Sequence, residues 1–396
     1  MLPALVLYFF LSFQMASGQS DTNTPQQRME SVQRPILNWD YDGKRILGHV
    51  EMKVILWDAT TGKVLHKMKA HQERIFSVRF SPDGLHAFTS SWMTEGPIGY
   101  KSKDTRTILW NLTTGDKKAD FPDQVASEFS PDGKLLLTFS GPRPGKLGWF
   151  DAAVWDADRG AKITSSTLDD SSNPHQDRMY FSTDGRSFAH IKGGQSVDYV
   201  SMNSTLGVLY DAINGREMGR SARQNGGHRF TSNGELASFG SDKAILTDLH
   251  SGRVQNIPHG LKSVRGAAWT HDGKKVAAFC DGELKIWHLE SQKTTVSVKA
   301  LPITSTVAIV GPDNQRLALE FRYVDHPDLR LYDMKTGKEI ERIALLQWGH
   351  VIGFSPDSKT ILVGGPEFVI YDTENGKEIR RLKLLDDVNF SYDWDK

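Results

Sequence analysis

Residues capable of covalent or metal chemistry are scattered singly along this chain. The one cysteine, Cys280, ends the run Val276-Ala277-Ala278-Phe279-Cys280. Nothing adjacent in sequence would draw its thiol toward the thiolate, so it reads as a small buried hydrophobe, and no intrachain disulfide is available. The chain holds no Gly-x-Ser-x-Gly elbow, His-Glu-x-x-His zinc helix, phosphate-binding glycine loop, Cys-x-x-Cys-His haem attachment or paired-cysteine zinc spacing. Asp169, Asp170, Asn173, His175 and Asp177 make one oxygen-rich stretch. It lacks the ordered ligands and the glycine of a calcium loop, and reads as a solvated connection. No metal and no cofactor is expected.

Recognition is the chemistry that remains. Three segments, Trp92 to Asp104, Gly141 to Phe150 and Gly193 to Leu206, collect aromatic and thioether side chains: Trp92, Met93, Tyr100, Trp149, Phe150, Tyr199 and Met202. Lys101, Lys103, Arg143 and Lys146 are balanced there by Glu95, Asp104, Asp151 and Asp198. Balanced charge argues against an anion-specific site. Aromatic rings among mixed polar groups bury much area at little rotamer cost, which suits a protein surface or a glycan. The competing reading is that these segments fold over one another and extend the core.

The elements that must position these segments are repeated. Trp57, Trp110, Trp155, Tyr210, Thr247, Trp287, Tyr332 and Tyr371 are followed five residues later by Gly62, Gly115, Gly160, Gly215, Gly252, Gln292, Gly337 and Gly376. Seven of these eight turn positions hold the residue that accepts positive φ without steric cost. A second signature interleaves with the first, as in Ser81-Pro82-Asp83-Gly84, Ser130-Pro131-Asp132-Gly133 and Ser355-Pro356-Asp357-Ser358. Proline presets φ, aspartate bonds its own backbone and glycine closes the turn, so each is a hairpin. Short alternating β-prone segments such as Lys53 to Trp57 and Lys134 to Phe139 lie between the turns. Each unit therefore reads as four antiparallel strands.

Eight in-phase units of this kind resemble the WD-repeat (β-transducin-like) propeller family, over about residues 34 to 384. The resemblance implies an all-β fold, a single closed β-propeller of four-stranded antiparallel blades. Eight blades are expected, with seven as the alternative if one unit is displaced. It also implies a buried structural set of His, hydroxyl, Asp and Trp, which blade two approaches with His71, Ser90 or Ser91, Asp104 and Trp110. Blade six offers His259, Asp281 and Trp287 without an obvious hydroxyl. These are structural rather than catalytic residues. Propellers host binders and enzymes alike, so the fold does not fix the function.

Spacing marks out the decorated blades. From the end of each first hairpin turn to the next blade aromatic the gaps are 14, 26, 22, 25, 13, 14, 18 and 13 residues. The long gaps of blades two, three and four fall between the second and third strands. Because strands alternate in direction, all three insertions emerge on one face of the ring, together with the long link through Asp169 to Asp177 between blades three and four.

Composition bounds the rest. The chain has 396 residues, 38% of them hydrophobic, and a formal charge of zero, with no basic run to serve as a footprint for nucleic acid. Leu2 to Phe13 is an apolar run too short to span a bilayer and is followed by Ala16-Ser17-Gly18. It reads as a signal peptide over 1–18, then a polar linker over 19–33, the propeller over 34–384, and a tail or closing strand over 385–396. On that reading the protein is secreted or periplasmic, has no membrane span after cleavage, and is a monomer. Asn111-Leu112-Thr113, Asn203-Ser204-Thr205 and Asn389-Phe390-Ser391 match glycosylation sequons.

The sequence thus points to a noncatalytic, extracytoplasmic interaction scaffold. Its partner, a protein or a glycan, would be held by Trp92, Tyr100, Lys101, Lys103, Arg143, Lys146, Trp149, Phe150 and Tyr199. The alternative is an extracytoplasmic propeller enzyme, of the lactonase, hydrolase or quinoprotein kind, with a site at the mouth of the central channel.

Overall fold

The computed structural model describes residues 37–382, apart from 51, 70, 73–74, 92–104, 141–150, 169–177, 193–205, 221–226, 232–233, 241, 249–250, 252, 263, 281, 300–304, 322–326, 346–348 and 366–367. The described strands form eight four-stranded antiparallel sheets, each built from four consecutive strands. They are the blades of an eight-bladed β-propeller. Blade one runs Leu37–Trp39, Arg45–Val50, Lys53–Asp58 and Val64–Lys69, from the ring's centre outward. Among the described residues, each blade is made of four consecutive strands, and none is borrowed from the other end of the chain. The ring closes by packing: Leu37, Trp39 and Trp57 of blade one share a core cluster with Leu362, Phe368 and Leu382 of blade eight. The expected tail or closing strand at 385–396 and the expected leader at 1–18 lie outside the described residues. No helix among the described residues is long and apolar enough to cross a membrane.

The alternation expected of the inner segments is corrected. Val54, Ile55, Leu56 and Trp57 are all buried, because a propeller blade is packed on both faces by its neighbours and leaves its middle strands no wet side. Alternation survives on the outermost strands, as in Val64–Lys69, where only Met68 is fully buried. Cys280 lies in the cluster between blades five and six, with Phe239 and Trp269, as its apolar context suggested.

The two turn signatures staple neighbouring blades. A β-carbon added at Gly133 would stand 3.4 Å from Pro82 of the preceding blade, and one at Gly43 would stand 3.4 Å from Pro356, across the ring closure. Where the glycine is missing, another residue takes the left-handed conformation: Gln292 at φ 54, Asn314 at 59 and Ser358 at 59. Asn314 and Ser358 reach the preceding blade with a hydrogen bond instead. His271 N–H donates to Asn314 Oδ1 at 2.5 Å. Pro312 has no N–H in the matching position, and Asp313 N–H donates to Ser358 Oγ at 3.0 Å.

Seven of the eight outermost strands carry a β-bulge immediately beside the blade aromatic, for example between Leu56 and Trp57. The extra residue is pushed outward. Leu65, Ile163 and Ile379 sit at these bulges, and all three are exposed. Blade five, whose third strand ends in Thr247, has no bulge.

Candidate interaction surface

The described strands that carry the three insertions run as the spacing implied. Second and third strands end and begin at Ser91 and Arg106 in blade two, at Ser140 and Asp151 in blade three, and at Lys192 and Leu206 in blade four. In blade one the same connection spans only Val50 to Lys53. Trp92, Tyr100, Lys101, Lys103, Arg143, Lys146, Trp149, Phe150 and Tyr199 all lie outside the described residues, as does Asp104.

The roots of the insertions are tightly bonded. Ser90 Oγ and Thr107 Oγ1 lie 2.8 Å apart, and both accept the N–H of Ala126 in blade three, at 3.1 and 2.8 Å. Thr107 also donates to the Gln124 carbonyl at 3.0 Å. The base of blade two's insertion is thereby fixed to the innermost strand of blade three. In blade three, Asp151 N–H donates to Ser140 Oγ at 3.2 Å, and Thr167 Oγ1 donates to Asp151 at 3.3 Å.

Those bonds correct the expected structural set. His71 and Trp110 do meet, but through Thr89: the hydroxyl accepts the indole N–H at 2.7 Å and lies 2.7 Å from His71 Nε2. Ser90 belongs to the insertion root instead, because successive residues of a strand point to opposite faces: Thr89 and Ser91 share the face of Trp110, and Thr89, two residues from Ala87, the partner of Trp110, is the one within reach. Blade three repeats the device without histidine. Trp155 donates to Thr138 Oγ1 at 2.8 Å, and Thr138 donates to Gln124 Oε1 at 2.7 Å. In blade six the corresponding position is Ala278, and the Trp287 indole N–H has no acceptor among the described residues.

His259 bonds backbone groups, and Asp281, expected beside it, lies outside the described residues. Leu261 N–H donates to its Nδ1 at 3.1 Å, so Nε2 carries the proton and donates to the Gly240 carbonyl at 3.1 Å. Burial holds its pKa below the usual histidine value. The sequon at Asn111 is a turn motif here, since its side-chain oxygen accepts the N–H groups of Thr113 and Thr114 at 2.9 and 3.3 Å.

Beneath the three decorated blades lies a polar seam that sequence reading missed. Glu128, on the innermost strand of blade three, pairs with Arg79 of blade two at 3.7 Å and accepts the N–H of Phe181 in blade four. Burial pushes its carboxyl up to about 7, against the opposing pull of Arg79 and the Phe181 amide. Ser127 ties the same strand to the Met179 carbonyl at 2.8 Å. The signal was available: Arg79, Glu128 and Tyr180 each directly precede the Phe of their hairpin signature, at one repeat position.

Comparison with known proteins agrees with this geometry. The family model for the WD domain, G-beta repeat, matches residues 62–111 and 253–288. Eukaryotic translation initiation factor 3 subunit I of Neosartorya fischeri is 30% identical over 132 residues, covering 32% of this chain and 36% of the relative. SIR4-interacting protein SIF2 of Saccharomyces cerevisiae is 23% identical over 320 residues, covering 76% of this chain and 46% of the relative. The chain thus spans less than half the length of these curated relatives. Among solved structures, the C-terminal WD40 domain of Sif2 superposes with a TM-score of 0.62 at 15% identity, covering 85% of this chain and 94% of that one. These relatives overturn the secreted or periplasmic assignment: a translation initiation factor subunit and a SIR4-interacting protein act inside eukaryotic cells. That expectation had rested on the apolar run at Leu2 to Phe13 and the small residues Ala16-Ser17-Gly18 after it.

Proposed function

We propose that this chain, a WD-repeat ring of eight blades, is a noncatalytic interaction scaffold that holds a partner protein through the insertions of blades two, three and four. The observation that carries the reading is their placement. Three neighbouring blades are lengthened at one connection, which in blade one spans only Val50 to Lys53, and all three lengthened connections open on one face. Their bases are held by blade-to-blade hydrogen bonds around Ser90, Thr107 and Ala126. A rigid ring that carries long aromatic segments on bonded roots suits recognition, because the ring itself pays no ordering cost on binding. Relatives named as a subunit of an initiation factor and as an interaction partner of SIR4 support the protein-binding class.

The test is affinity capture with the wild-type chain and with the combined variant Trp92→Ala, Tyr100→Ala, Trp149→Ala. A partner retained by the first and lost by the second is the expected result. Equal capture by both would assign binding to another surface. Capture of none, with a stoichiometric cofactor in the purified chain, would favour a propeller enzyme.

A further inference from the structure

Blade five departs from its neighbours at its outer rim. Its outermost strand, Val254–Pro258, pairs with Lys243–Thr247 in unbroken register, without the bulge found in the other seven blades. Its sequence, Val-Gln-Asn-Ile-Pro, is also the one outermost strand without a charged residue. Bulges and charges are the usual devices that stop a sheet edge from pairing with another chain. Here both are missing, the one such device kept being Pro258 at the strand's end, and Val254 is 37% exposed.

The pairing fixes which backbone groups face outward. Asp248 N–H donates to the Arg253 carbonyl at 3.0 Å, and His259 N–H to the Asp242 carbonyl at 3.4 Å. With the register in between, Gln255 and Ile257 bond inward, whereas Val254, Asn256 and Pro258 turn their backbone groups outward. The outward row is two N–H groups, from Val254 and Asn256, and three carbonyls. Pro258 stands where its missing N–H costs the inner ladder nothing, which is the position an edge proline takes.

We propose that the edge Val254–Pro258 is a second interaction surface, separate from the insertions, that takes an extended, uncharged segment of a different protein as a fifth strand. The choice of occupant follows from the proline. In an antiparallel pair of two copies centred on Asn256, each Val254 would face Pro258 of the other copy, and both Val254 carbonyls would lose their donor. An unlike strand without proline opposite Val254 satisfies all five groups, as β-augmentation requires.

The probe is the labelled peptide acetyl-Thr-Val-Thr-Val-Thr-amide, followed by fluorescence anisotropy with the full chain, beside a copy N-methylated at every residue, which has no donor on either edge. Saturable binding is expected, absent for the methylated copy and weakened about tenfold or more by Asn256→Pro, which deletes one outward donor and spares the inner ladder. If that variant loses its cooperative melt, Val254→Lys tests the same edge by adding a charge. Binding indifferent to these changes, or no saturation by about 1 mM peptide, overturns the proposal. Peptide-free protection of the Val254 and Asn256 amides that grows with protein concentration would assign the edge to a second copy and overturn the stated occupant.

Discussion

Asn314 of blade seven accepts the backbone N–H of His271 in blade six at 2.5 Å, from a left-handed backbone with φ of 59°. The same hairpin position is glycine in most other blades, where it makes room for the preceding turn. One repeat position therefore joins blades in two ways, by close approach or by a side-chain acceptor.

That distinction gives opposite signs to one substitution. Ser358→Gly relieves a left-handed residue but leaves Asp313 N–H without the Ser358 hydroxyl, in a position where Ser358 is fully buried. A net loss of about 1 kcal/mol is expected in urea unfolding. Gln292→Gly relieves the same strain at an exposed turn, φ 54°, and should gain about 0.5 kcal/mol after the entropy of the added glycine is subtracted. Two changes of the same sign would contradict the account of these turns.

The Thr89 hydroxyl serves both His71 and Trp110. Thr89→Ala should cost about 2 to 3 kcal/mol, because two buried polar groups lose their partner, and Trp110→Ala about 3 to 5 kcal/mol. Ala278→Ser supplies blade six with the missing acceptor for Trp287 and should raise stability by about 1 kcal/mol. A fall instead would show that the site has no room for the added oxygen.

Stability should respond to pH through two opposed sets of groups. Burial lowers the pKa values of His86, His259 and His288, so their contribution is present above about pH 6.5 and is lost as pH falls below it. Glu128 runs the other way. Its carboxyl is raised from 4.5 to about 7, so its contribution is full below the unfolded value and is lost as pH rises through about 7. Comparing wild type with Glu128→Gln cancels the histidines. The wild type's advantage over the variant should shrink by about 3 kcal/mol between pH 4.5 and 8. A pH-independent difference would place the Glu128 carboxyl in an ordinary environment.

Much of the fold was legible because it is periodic. The aromatic-to-glycine interval and the hairpin signature set the strand order, the blade number and the connection that was lengthened. The structural set was harder, because Thr89, Ser90 and Ser91 are consecutive hydroxyl residues and only strand register says which one faces Trp110. The Glu128 seam could not be read from one blade, since its three members come from blades two, three and four. Blade five shows the reverse case. Thr247 was visible as an outlier, but the loss of the bulge beside it needed the pairing register. The export expectation failed because a short apolar run followed by small residues is a weak signal for compartment.

The insertions are the central claim, and the most direct measurement is the dissociation constant of the captured partner for wild type and for the Trp92, Tyr100 and Trp149 triple alanine variant, with the Tm of each. Affinity reduced at least a hundredfold with Tm unchanged within about 2 °C is the expected result. Unchanged affinity, or a melting temperature that collapses with it, would contradict the account, the first by removing the insertions from the interface and the second by making them part of the core.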